Sequence, residues 1–159
     1  MASLTALLHA IGLVLYGGSL LVFSVLLPLG GRIRGLEPWH MDRLWRAWAP
    51  GSGLAMAALI LGGLLRYSAL VGEFAWWPSD PVQRVFLVKH ALFLVVWVNY
   101  TITEVWVAEP LRRLDPGPDA PADPTAYLAA RHRVIGHLWV SAVLLLAILT
   151  LSSWHVATS

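Results

Sequence analysis

Four stretches of this chain, at about 4–29, 47–70, 82–108 and 134–153, are almost continuously apolar, and each is long enough to cross a bilayer. A hydrocarbon core about 30 Å thick needs about 20 residues, each rising about 1.5 Å. Lipid cannot satisfy an open strand edge, so all four stretches must be helices. Composition agrees: 58% of the 159 residues are hydrophobic and only 13% are charged, about half the charge of a soluble domain. The expected fold is all-α, an integral membrane four-helix up-and-down bundle that forms a single transmembrane domain over 1–159. The first stretch has neither a basic leader nor a small-residue cleavage site, so it reads as a retained helix and not a signal peptide.

Charge placement sets the expected orientation. Arg32, Arg34, Arg43, Arg46, Arg112, Arg113, Arg131 and Arg133 fall in two polar segments, 30–46 and 109–133, at one end of the bundle. Only Arg66 and Arg84 flank the other end. The positive-inside rule then places both termini outside, N-out and C-out, as in a prokaryotic inner (cytoplasmic) membrane. Segment 109–133, with Pro110, Pro116, Pro118, Pro121 and Pro124, reads as an irregular loop. The short connection 71–81 carries Trp76 and Trp77, which suit an interfacial belt. A formal net charge of +2, distributed this way, gives no case for a nucleic-acid partner. The absence of cysteine excludes disulfides, thiolate-held metal clusters and thiol catalysis. The chain also carries no phosphate loop, nucleophile elbow or metalloprotease helix, so an electron carrier or metal-handling protein is expected ahead of a stand-alone enzyme.

Ionisable residues inside a span are costly and are the first functional candidates. His9 in the first helix and His90 in the third lie at similar depth, near the arginine-poor end. The first and third helices of an up-and-down bundle are diagonal neighbours, so the two imidazoles can face each other as the axial ligands of a haem. His9, Gly12 and Tyr16 share one face of the first helix, and Gly62 and Gly63 lie level with His9 on the second. Glycines here either admit a flat ring or let helices approach closely. Lys89, the only lysine, and Arg84 are candidates for the propionates, although a lysine in this position also snorkels to the interface.

A second group lies deeper. His90, Trp97 and Glu104 recur every seven residues, and His137 in the fourth helix is expected at the depth of Glu104. The pair Glu104 and His137 reads either as a proton or metal site or as a buried pair that fixes register. Asn99 and Tyr100 are expected to hydrogen-bond between helices. His40 and His132 are expected to be solvated, and His155 falls just beyond the last stretch on the side of His9 and His90.

The run LLHAIGLVLYGGSLLVF, with His9, Tyr16 and Gly17, resembles the histidine-bearing helix of the copper-resistance protein D (CopD) family. The run QRVFLVKHALFLVVWVNYTITE resembles that family's lysine-bearing helix, with Lys89 and Asn99 at the matching places. The layout is more distantly similar to the small haem-associated HemJ-type membrane proteins. The family's proteins usually have about twice as many spans, and its Trp–Gly step is Tyr16–Gly17 here. The resemblance implies a bundle that handles a metal or a porphyrin.

Three functions follow as expectations. In the first, His9 and His90 bind haem b, with Gly12, Tyr16, Gly62 and Gly63 around it, and electrons pass to or from a partner at the outer face. In the second, His9, His90 and His155 form an outer copper site of a permease. In the third, the chain is a structural or assembly subunit packed within a larger membrane complex. Copper(I) pathways favour thioether and thiolate ligands, whereas Met41 and Met56 lie toward the arginine-rich end. The ligand chemistry therefore favours haem.

Overall fold

A computed structural model describes residues 2–35, 37–71, 79–114 and 121–158. The chain is helical throughout its four spans, with no strand among the described residues. Helix α1 runs from Ala2–Gly12 through a π-helical turn, Leu13–Gly17, into Gly18–Leu29. Helix α2 is Pro38–Val71, and α3 runs from Pro81–Ile102 into a second π-helical turn at Thr103–Val107. A short α4, Glu109–Arg113, precedes α5, Pro124–Thr158. Four segments are long and apolar enough to span a membrane: Ala6–Leu29, Pro38–Leu65, Pro81–Arg113 and Pro124–Ser152.

Two helices start about ten residues earlier than the sequence pattern places them. Residues 38–46 belong to α2, and residues 124–133 belong to α5. Pro124, expected to lie in an irregular loop, begins α5 instead, and Pro38 begins α2, because a first-turn proline gives up an N–H that has no helical partner anyway. At α5 an acidic cap precedes the proline: Asp123 Oδ1 accepts from the Ala126 N–H at 2.9 Å. The same device starts α3, where Asp80 Oδ1 accepts from the Val82 N–H at 2.8 Å. Between α1 and α2, Gly31 takes φ +83°, a left-handed conformation that suits glycine. Trp76 and Trp77, and the part of 109–133 that holds Asp115, Pro116, Pro118 and Asp119, lie outside the described residues.

The N-terminal half of α1 packs on α2, its second half packs on α5, and α5 packs on α3. Contact between α2 and α3 is sparse. This order sets α1 and α3 on opposite corners, as the up-and-down topology requires. The α1–α2 seam is made by backbone. A Cβ on Gly12 would lie 2.7 Å from the Leu59 amide nitrogen, and one on Gly62 would lie 2.9 Å from that of His9. Large apolar side chains such as Val14, Leu54 and Val143 point outward, as they do in a bundle surrounded by lipid.

At the arginine-rich end a buried polar cluster ties three helices together. Asp42 of α2 accepts from the Tyr127 hydroxyl at 2.5 Å and from Arg131 Nε at 3.0 Å, both on α5. Arg131 Nη2 also donates to the Leu27 carbonyl near the end of α1. Gly30 makes room for that guanidinium, since a Cβ there would lie 2.9 Å from Nη2. Asp42 and Arg131 are 1% and 4% exposed. Removing one partner of such a pair leaves a buried charge uncompensated, which costs about 3–5 kcal/mol. Asp42→Ala should therefore lower the thermal midpoint in detergent sharply, whereas Tyr127→Phe, which removes one hydrogen bond to a charged group, should cost about 1.5–3 kcal/mol. Equal, small effects would show that the cluster does not hold the bundle.

Candidate functional site: two imidazoles across Gly63

The α1–α2 seam lays the His9 ring over one turn of α2. Its Nδ1 lies 3.3 Å from the Leu59 carbonyl oxygen. A carbonyl only accepts, so Nδ1 carries the proton and Nε2 keeps the lone pair of the neutral ring. His90 on α3 follows the same rule more tightly, with Nδ1 2.7 Å from the Phe86 carbonyl of its own helix. Nε2 is again left as the basic nitrogen. A carbonyl behind Nδ1 is the usual support for an imidazole that ligates through Nε2.

The two rings meet at Gly63. A Cβ on this residue would stand 3.6 Å from both His9 Nδ1 and His90 Nε2. Those nitrogens are therefore within about 7 Å of each other, at most twice that distance. Both imidazoles are half-buried. Tyr67, one turn further along α2, packs against His90 with ring centroids 5.2 Å apart. Its hydroxyl is buried and has no hydrogen-bond partner among the described residues. Sequence reasoning overlooks Tyr67, although its place one turn beyond Gly63, facing the same way, is readable from the i, i+4 spacing.

The other expected residues divide. Gly12 and Gly62 do not form a slot for a ring; backbone of the facing helix fills the space that their missing side chains leave. Tyr16 is buried two turns further along α1, edge-on to Tyr100 at 6.0 Å. Lys89 lies over the Phe86 ring at 4.4 Å, and Arg84 Nη2 donates to the Ser79 carbonyl at 3.0 Å. The side chain of His155 lies outside the described residues, so the structure does not place the third histidine of a copper site. Among the described residues no group of three or more His, Cys, Asp or Glu converges on one point. Met56 is buried in the core about 10 Å along α2 from Gly63.

Glu104 and His137 are each engaged elsewhere, which replaces the pairing expected from depth. Glu104 Oε2 accepts from Arg112 at 2.8 Å. His137 Nδ1 lies 2.8 Å from Asn99 Oδ1, and Asn99 Nδ2 donates to the Ser141 hydroxyl at 2.7 Å. Because α5 starts at Pro124, His137 sits near the middle of its span and meets Asn99 instead of Glu104. Glu104 lies in the Thr103–Val107 π-helical turn, which breaks the regular phase of the seven-residue stripe, and it pairs with Arg112 of α4. Trp97, in the same stripe, is exposed, while neighbouring Val96 is fully buried. Tyr100 does link helices, donating to the Ala49 carbonyl at 3.0 Å. His40 and His132 are exposed.

No family model, curated protein or solved structure matches the chain. The site must be argued from its own chemistry. Two neighbouring, backbone-supported imidazoles offer nitrogen donors of a kind that suits iron or copper. Space for one Cβ at Gly63 and the Tyr67 hydroxyl, unpartnered among the described residues, adjoin the two rings.

Neighbouring glycines separate packing from ligand binding. Gly62→Ala would drive a Cβ into the His9 backbone and should cost about 1–3 kcal/mol of stability through overpacking. Gly63→Ala meets only ordinary contacts at 3.6 Å, so it should fold normally while placing a methyl group between the rings. Thermal unfolding together with cofactor or metal content checks the pair. The same phenotype for both variants would contradict the assignment.

Proposed function

We propose that this chain is a small integral membrane haem b protein, in which His9 and His90 hold the iron and electrons pass to or from a partner at the outer face. The observation that supports this reading is the convergence on Gly63 of two imidazoles from diagonal helices, each with Nδ1 directed to a backbone carbonyl. The bound haem supplies one-electron chemistry. The chain's own groups do the rest. The Nε2 atoms of His9 and His90 give their lone pairs, and the Leu59 and Phe86 carbonyls fix the tautomers. Gly63 leaves space between the rings, and Tyr67 brings a hydroxyl donor to the site. The arginine distribution orients the bundle with this end outward and both termini outside, in a prokaryotic inner membrane.

A copper-handling role, in line with the CopD resemblance, is the second reading. The filled seam at Gly12 and Gly62 favours it, because a single ion between two imidazoles needs much less room than a macrocycle.

An absorption spectrum, oxidised and then reduced with dithionite, tests the proposal on protein purified from haem-replete cells. The reduced protein should show a b-type spectrum, and either His9→Ala or His90→Ala should abolish six-coordinate haem. His155→Ala should leave the spectrum intact. Colourless protein that binds copper through His9, His90 and His155 would overturn the haem assignment in favour of the second reading.

A further inference from the structure

Arg43 presents an anomaly at the opposite end of the molecule. Its Nε and Nη2 are shut off from water and have no hydrogen-bond partner among the described residues. A guanidinium stays charged in a protein, and it has donors but no acceptor. Desolvated donors of a charged group are costly without a partner, so they point to an acceptor that none of the described residues provides. The adjacent carboxylate is committed elsewhere: Asp42 is taken up by Tyr127 and Arg131. Arg46, one turn on, shares the face of Arg43, and its Nε donates to the Asp42 carbonyl at 3.3 Å. Both arginines are only half-buried, so the Arg43 guanidinium has room to turn toward the open side and meet an anion there.

We propose that Arg43, with Arg46 beside it, binds the phosphate of an anionic phospholipid. Depth and the adjoining surface favour a lipid over free phosphate. The α2 span begins at Pro38, so Arg43 lies about 7 Å inside the start of the helix. From Arg43 the same face continues through Ala47, Leu54 and Leu61, all exposed, and makes an apolar track for an acyl chain. A guanidinium fork matches two phosphate oxygens, and the second positive charge favours a headgroup with net negative charge. In the proposed orientation this end faces the leaflet where anionic lipids attract basic segments.

Native mass spectrometry of the full chain in detergent, titrated separately with phosphatidylglycerol, phosphatidylcholine and inorganic phosphate, tests the inference. One phosphatidylglycerol should be retained in preference to phosphatidylcholine. Arg43→Gln should weaken its retention about tenfold, as expected for a lost charge-assisted contact worth about 1.4 kcal/mol. Arg43→Lys, which keeps the charge but not the fork, should fall between wild type and Arg43→Gln and guards against a folding defect in the glutamine variant. Arg133→Gln, an exposed arginine at the same end, should change nothing. Equal retention by wild type and both Arg43 variants would overturn the site. No preference over phosphatidylcholine, or displacement of the lipid by millimolar inorganic phosphate, would overturn the choice of an anionic lipid.

Discussion

Helices in lipid gain little by hiding apolar surface from a solvent that is itself apolar, so close backbone contact and polar links must hold them together. The approach of α1 to α2 at Gly12 and Gly62 is the contact on which the site depends. Because neither residue has a Cβ, the backbone of α1 settles directly onto α2, and the His9 ring comes to rest over the turn from Leu59 to Gly63. A larger residue at either glycine would push the helices apart and carry His9 away from His90. His90 arrives from α3, which meets α2 only sparsely. One wall of the site is therefore tightly packed, and the other belongs to the loosest seam of the bundle.

Polar links secure the rest of the structure at two levels. At the arginine-rich end, Asp42, Tyr127, Arg131 and the Leu27 carbonyl tie α1, α2 and α5. Near mid-span, Asn99 joins α3 to α5 through His137 and Ser141. Each polar side chain in these links meets another residue of the chain. Among the described residues, four side chains elsewhere keep buried donors without such a partner: Tyr16, Arg43, Trp48 and Tyr67. Tyr67 lies beside the imidazole pair and Arg43 at the far end, the two places proposed to receive a ligand.

Much of this was legible in the amino-acid pattern because it rests on length, depth and spacing. The four spans follow from apolar run length, and the meeting of His9 with His90 follows from matched depth on diagonal helices. The early starts of α2 and α5 were hidden because a proline reads as a breaker until its place in the first turn is known. Glu104 escaped because a π-helical turn changes the phase of the helix, which no period-seven pattern reveals. Gly12 and Gly62 show how one residue type can serve two ends: their spacing suited a ring pocket and a helix seam alike, and only the position of the facing backbone decides between them. The Asp42–Arg131 link was concealed by composition, since both residues looked like members of solvated, charged loops.

The bundle brings the His9 and His90 rings together at Gly63. The chain has no cysteine, so introduced thiols report without background. His9→Cys combined with His90→Cys, treated in membranes with a short bis-maleimide, tests the geometry most directly. Efficient cross-linking within one chain is expected, with little from His9→Cys combined with Trp97→Cys, because Trp97 faces outward. No cross-link between positions 9 and 90, or equal yields from the two pairs, would contradict the convergence from which the site and its proposed chemistry are derived.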